Sequence, residues 1–233
     1  MKIFDCFMYF DEEVVLNVRL NVLDQFVDYF VIVESKFTHR GDQRNLRFDI
    51  KKFKKFENKI IYLIYEEQPK EVQTIKIEED NFEKTKKYVS NAILRENGQR
   101  NYIKKGLDKA DDNDIILISD VDEIPNLSNV NFNKINEKII LFRQNMFYYK
   151  FNLHLPNLAW SGTKACKKKD LINPQWLRNI KNRKYPFFRM DTFFSKTKYS
   201  NLKIFNNGGW HFTNIKTATE IEYKLKSYLH HRE

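Results

Sequence analysis

The sequence predicts an α/β fold: a doubly wound, mostly parallel sheet followed by an antiparallel, aromatic-rich second half. Three observations carry that prediction. Ile115, Ile116, Leu117 and Ile118 form an unbroken aliphatic run bounded by acids, the pattern of a parallel strand buried on both faces. Before it, short aliphatic runs alternate with segments of helical spacing, as repeated β–α units do. Beyond Pro125 the pattern changes, and longer aromatic runs such as MFYYKFNL take over.

Taken in order, Lys2 to Phe7 reads as the first strand. From Glu12 to Leu23 the apolar residues Val15, Leu16, Leu20 and Leu23 recur at helical spacing. Tyr29 to Val33 is the second strand, ending at Glu34 and Ser35, and the loop SKFTHRGD follows. A basic amphipathic piece, Phe48 to Phe56, precedes the third strand at Ile60 to Tyr65. Glu66 to Ile77 has no clear period and reads as loop. Phe82 to Lys109 is mostly helical, with Gly98 as its expected break. In the second half, strands are expected at Ile139 to Phe142, in MFYYKFNL, at Trp160 to Thr163, at Leu202 to Phe205 and at Trp210 to Thr213. Asn206 to Gly209 reads as a tight turn. Thr217 and Glu220 form a capping box, and Ile221, Leu225 and Tyr228 mark the apolar face of a closing helix. No repeat or low-complexity linker interrupts the chain, so residues 1–233 read as one domain in two halves, 1–125 and 126–233.

The aliphatic run ends at Ser119, and Asp120, Asp122 and Glu123 follow before Pro125. Ligands of open α/β sheets bind outside the carboxyl ends of strands. Asp-x-Asp there can aim two carboxylates at one hard cation, Mn²⁺ or Mg²⁺, which bridges them to substrate phosphates. Asp120 and Asp122 are therefore the expected metal–diphosphate pair. The other reading is a solvated acidic turn, although three crowded acids repel one another without a cation.

Composition bounds the rest. An aromatic content of 15% excludes a disordered chain. No run of about 18 apolar residues exists, so no transmembrane segment is expected. The start MKIFDCFMYF turns acidic too soon for a signal peptide. Two distant cysteines, Cys6 and Cys166, point to a reducing compartment, and a cytoplasmic protein is expected. The net charge of +10 fits either an AT-rich coding bias or attraction to phosphates, acidic glycans or a membrane surface. The aromatics sit in strand patterns, so no nucleic-acid partner is expected, while peripheral membrane contact stays open.

Five segments in order, DCFMYFDEEVVLNVRL, VDYFVIVESKFTHRG, DIILISDVDEIP, GGWHFT and IEYKLKSYLHHRE, resemble glycosyltransferase family 17, whose members include bacterial and viral proteins. The resemblance spans residues 5 to 233. It implies a GT-A-like fold with a nucleotide-sugar half and an acceptor half, an Asp-x-Asp metal site with Mn²⁺ or Mg²⁺, transfer with inversion, and UDP-N-acetylglucosamine as donor to a glycan acceptor. It also implies that Glu12, Arg19 and Glu34 surround the nucleotide, and that a late histidine, His211, joins Asp120 and Asp122 on the metal. Arg100 is a candidate contact for the diphosphate. Gly209 lets backbone approach a ligand, and Trp210 is a candidate for stacking on a sugar. Two features depart from the family. The animal enzyme's membrane anchor has no counterpart here, and relatives usually continue beyond the segment ending at Glu233. His231 and Glu233 match a family His-x-Glu motif.

Inversion needs a carboxylate to take the acceptor's proton. Asp191, alone in PFFRMDTFF, is the candidate, on the expectation that its aromatic neighbours exclude water; pairing with Arg189 is the competing reading. Two other functions compete. A phosphohydrolase of the haloacid-dehalogenase type wants its Asp-x-Asp on the first strand, whereas here it follows the fourth. A binding module that kept the fold and lost turnover is the non-enzymatic rival.

Overall fold

The computed structural model describes residues 1–227, so the expectations placed on Tyr228, His231 and Glu233 lie outside the described residues. The first half runs β1 (Ile3–Tyr9), α1 (Glu13–Leu23), β2 (Tyr29–Ser35), a 3₁₀ segment (Ile50–Lys59), β3 (Ile60–Tyr65), α2 (Asn81–Tyr102), β4 (Ile115–Asp120) and β5 (Glu123–Pro125). The second half follows with β6 (Ile139–Tyr148), β7 (His154–Lys167), α3 (Pro174–Asn179), α4 (Met190–Phe193), β8 (Leu202–Phe205), β9 (Gly209–Thr213) and α5 (Ala218–Ser227). These strands form one mixed, mostly parallel sheet in the order β3-β2-β1-β4-β7-β6-β9-β5, with β8 against β6.

The four strands β3, β2, β1 and β4 are all parallel. Alternation along each sends side chains to two cores. Phe7, Phe30, Ile32, Ile115 and Leu117 pack with Leu16, Leu20 and Leu23 of α1 and with Phe53 and Phe56 of the 3₁₀ segment. On the opposite face Phe4, Cys6, Val31, Val33, Ile116 and Ile118 meet Ile103, Trp176 and Leu177. Both faces are thus covered, which is why these strands read as continuous apolar runs. Each large aliphatic side chain buried here contributes about 1.5–3 kcal/mol relative to exposure.

The second half is only partly antiparallel. β7 runs antiparallel to β4 and to β6, and β5 antiparallel to β9. β8 and β9 instead run parallel to β6 along one edge of it. Hairpin-linked strands such as β6 and β7 must be antiparallel, whereas β8 returns only after a long excursion and is free to run parallel. MFYYKFNL is not a separate strand: β6 takes in its first three residues and ends at Tyr148. Trp160 to Thr163 lies within the 14-residue β7.

Gly98 does not break α2, which runs on to Tyr102. Its missing side chain admits the Tyr65 hydroxyl, which a Cβ would overlap. The capping box of α5 is formed: Thr217 N donates to Glu220 Oε2 at 2.8 Å, and Glu220 N donates to Thr217 Oγ1 at 3.4 Å. Of the expected apolar face, Ile221 is partly buried and Leu225 is exposed, while Tyr223, itself exposed, stacks on Phe10. Cys6 and Cys166 are buried free thiols, and burial pushes both to higher pKa, Cys166 to about 12.

Candidate functional site

Parallel pairing of β1 with β4 puts Met8 beside Asp120, so both strands end at one rim. The chain then turns through Val121 and Asp122 into β5. Antiparallel pairing sets Glu123 opposite His211 of β9, and Phe212 N donates to Asp122 O at 2.9 Å. Residues about 90 positions apart in sequence are thereby joined by backbone ladders at the end of the central strands.

The acidic turn is held from inside by Arg19 of α1. Its side chain is fully buried and donates twice to Asp5, at 2.7 and 2.6 Å, and once to Ser119 Oγ at 2.5 Å. Nη1 reaches the carbonyls of Asp120, Val121 and Glu123 at 3.1, 3.2 and 2.8 Å. One planar fork thus ties the first strand, the fourth strand and the turn together.

Asp120 and Asp122 have different surroundings. Arg100 Nη2 donates to Asp120 Oδ1 at 3.1 Å and Arg178 Nη2 to Oδ2 at 2.9 Å. Burial raises the pKa of Asp120, but the two guanidiniums outweigh it and hold the carboxyl well below the usual carboxylate range. Glu123 is fully buried and accepts from Asp120 N at 2.8 Å, from Trp160 Nε1 at 2.6 Å and from both terminal nitrogens of Arg178. It therefore orients the Asp120 backbone. Lys164 opens a stretch rich in lysine, yet it is not solvated. It is buried in β7 and donates to the carbonyls of Arg178 and Ile180 at 2.6 and 2.5 Å, fixing the end of α3. Burial, aided by the charge of Arg178, pushes its pKa down to about 7.

Asp122 Oδ1 lies 3.4 Å from His211 Nε2. The opposite ring nitrogen contacts Met146 Sδ at 2.9 Å, and Thr213 Oγ1 is 3.2 Å from Nε2. Burial raises the Asp122 pKa and lowers that of His211. Their mutual attraction reverses both shifts, so Asp122 is held low and His211 high. Among the described residues no three His, Cys, Asp or Glu side chains converge to enclose a metal ion. Asp122 and His211 alone fit a divalent ion completed by substrate oxygens and water, since such ions take only one or two carboxylates from protein. Asp120 has both oxygens on arginines and stands beside that pair.

A cavity of about 490 Å³ opens over these groups. Glu12, Arg100, Asp120, Asp122 and His211 line it, as do Thr38, His39, Arg44, Glu96, Gln99 and Trp160. The remaining expected residues are elsewhere. Arg19 touches no cavity surface and acts through the turn. Glu34 is fully buried, with its carboxylate consumed by Arg44, Arg47 N, Phe48 N and Tyr62 Oη, so it builds the loop after β2 instead of meeting a nucleotide. Gly209 adopts φ +127°, and a Cβ there would overlap the Ile124 carbonyl, so the close approach is to β5 and not to a ligand. Trp210 packs against the core, because neighbours on a strand point to opposite faces and His211 takes the cavity side. The indole beside His211 is Trp160, with ring centroids 5.3 Å apart.

Asp191 lies outside the cavity. Its carboxylate is bound by Arg189 at 2.7 Å and Lys198 at 2.6 Å, which hold it well below the usual range. The aromatic neighbours expected to shield it, Phe187, Phe188 and Phe194, are themselves exposed. Sequence reading missed Trp160, Arg178, His39, Glu96 and Gln99. His39 lay in a segment already singled out, the loop SKFTHRGD, and Trp160 in an expected strand; Arg178, Glu96 and Gln99 carried no local signal. Burial, the larger influence, lowers the His39 pKa.

No curated protein matches the chain. The model of glycosyltransferase family 17 matches it over residues 1–233. The chain belongs to glycosyltransferase family 17 and is accordingly a glycosyl-transferring enzyme.

Proposed function

We propose that the chain is a metal-dependent, inverting glycosyltransferase of the GT-A type. In this reading it moves N-acetylglucosamine from UDP-N-acetylglucosamine to a hydroxyl of a glycan. The observation that carries it is the Asp122–His211 pair, facing one cavity at the carboxyl ends of β1 and β4. Such strand ends are where α/β sheets receive nucleotides. Asp122 and His211, with Asp120 adjacent, would hold Mn²⁺ or Mg²⁺, whose charge stabilises a departing nucleoside diphosphate.

The chain's own residues have definable tasks. Arg100 fixes Asp120 and keeps a guanidinium on the cavity wall, where its charge suits a diphosphate. Glu12 accepts from the amides of Phe10 and Asp11 at 3.2 and 3.1 Å, shaping the wall at the end of β1. Gln99 donates to the Val33 carbonyl at 3.0 Å and supports the side formed by Thr38 and His39, where a nucleoside fits. Trp160, hydrogen-bonded to Glu123 and tilted against His211, offers an apolar face to a sugar ring beside the diphosphate. Enclosure by these side chains keeps water from the anomeric carbon.

Three outcomes test this reading. Asp122→Ala is expected to lower UDP-sugar turnover by on the order of 10²-fold or more, and excess EDTA to do the same to the unaltered protein. Full activity in either case contradicts the metal site. In a thermal melt, UDP with Mn²⁺ at about a hundredfold over its Kd should raise Tm by about 5–10 °C, more than GDP or CMP does. Equal stabilisation by all three nucleotides removes the uridine assignment. Asp191→Asn should leave transfer within about twofold of normal, because it breaks only exposed ion pairs. A large loss of kcat in that variant would return Asp191 to the chemistry.

A further inference from the structure

Between α3 and β8 the chain makes an excursion that the sugar-transfer site does not use. Phe187, Phe188, Met190 and Phe194 are 75%, 72%, 74% and 85% exposed. Four large apolar side chains this exposed within eight residues are not the scattered surface hydrophobics of an ordinary protein face. The stretch 181–198 that carries them holds six basic residues, Lys181, Arg183, Lys184, Arg189, Lys196 and Lys198, against the single acid Asp191.

The excursion is a built feature. Its base is closed by Lys181 N donating to Thr197 O at 2.9 Å and Tyr185 N donating to Tyr199 O at 3.0 Å. Trp176 Nε1 adds a bond to Lys196 O at 2.6 Å. Tyr185 is buried within it, and Arg183, Arg189 and Lys198 stand 4.9, 5.6 and 5.7 Å from its ring centre. One aromatic ring thus gathers three cations next to the exposed phenylalanines.

We propose that this aromatic, basic knob docks the protein on an anionic phospholipid surface. Protruding phenylalanine and methionine side chains suit the headgroup boundary, and a ring of lysine and arginine suits the negative surface potential above it. Charge decides between occupants. A second copy of this chain would bring the same cationic knob and a net charge of +10, so the two would repel. The one acid, Asp191, is already bound by two of the cations and leaves the rest to face an external anion. A bilayer supplies both the apolar layer and the dense negative charge. The inference does not depend on the identity of the sugar donor.

Co-sedimentation with phosphatidylcholine vesicles, with and without phosphatidylserine, tests it. The full chain should bind the phosphatidylserine vesicles at least about tenfold more tightly, with affinity falling as salt rises. Phe187→Ser combined with Phe188→Ser should weaken that binding by about tenfold or more. Phe194→Ser alone should weaken it less. The far-UV circular dichroism spectrum and the melting temperature should stay unchanged in both variants. Equal binding to neutral and anionic vesicles would overturn the proposal, as would undiminished binding by the folded variants. Concentration-dependent self-association that these substitutions abolish, without vesicle binding, would assign the knob to a second copy instead.

Discussion

Everything at the candidate site rests on one buried guanidinium. Arg19 has no contact with solvent, and its hydrogen bonds reach β1 through Asp5, β4 through Ser119 and the acidic turn through three carbonyls. A charge in that position is tolerable only because Asp5 neutralises it and oxygen atoms satisfy its remaining donors. The Phe7 ring, 4.5 Å from the guanidinium carbon, covers it from below. Such a pair need not raise stability over an apolar replacement, but removing one partner leaves the other charged and buried. Its effect is specificity of shape: the carbonyls of Asp120, Val121 and Glu123 are drawn to one point, which fixes where the carboxylates emerge.

Around that anchor the two halves of the chain contribute different things. The parallel half provides the open rim where β1 and β4 end. The second half provides His211 through β9, Trp160 through β7 and Arg178 at the end of α3, the last held by the buried Lys164. The result separates two acids that stand next but one in sequence. Asp120 is locked by Arg100 and Arg178, whereas Asp122 faces His211 across 3.4 Å. The locked acid gives the site a rigid back, and the other pair is the part able to exchange partners.

The fold of the first half was legible because strands buried on both faces have to be aliphatic throughout, as Ile115 to Ile118 are. The acids after β4 and the histidine of GGWHFT were legible too, since strand-end position and motif agreed, and the cavity brings them together. Buried charges were not. Arg19, Glu34 and Lys164 look like surface residues until the partners 10 to 104 positions away that bind them are known. Strand parity separated Trp160 from Trp210: both are tryptophans on second-half strands, and only pairing and register reveal which faces the cavity. Asp191 misled for a related reason. Flanking phenylalanines imply shielding only if they turn inward, and these point outward. Parallel placement of β8 and β9 was hidden by the length of the connection, which permits either direction.

The central claim, that a residue out of reach of any donor shapes the site, is tested most directly by Arg19→Lys. Lysine keeps the charge but cannot fork to Asp5, Ser119 and three carbonyls at once. Urea unfolding and UDP-sugar turnover should be measured on the same preparation. Stability is expected to fall by about 3 kcal/mol or more, and the protein that remains folded should lose turnover by about tenfold or more. Wild-type stability together with wild-type turnover in Arg19→Lys would show that the turn holds its own geometry, and that the buried fork is not what the site depends on.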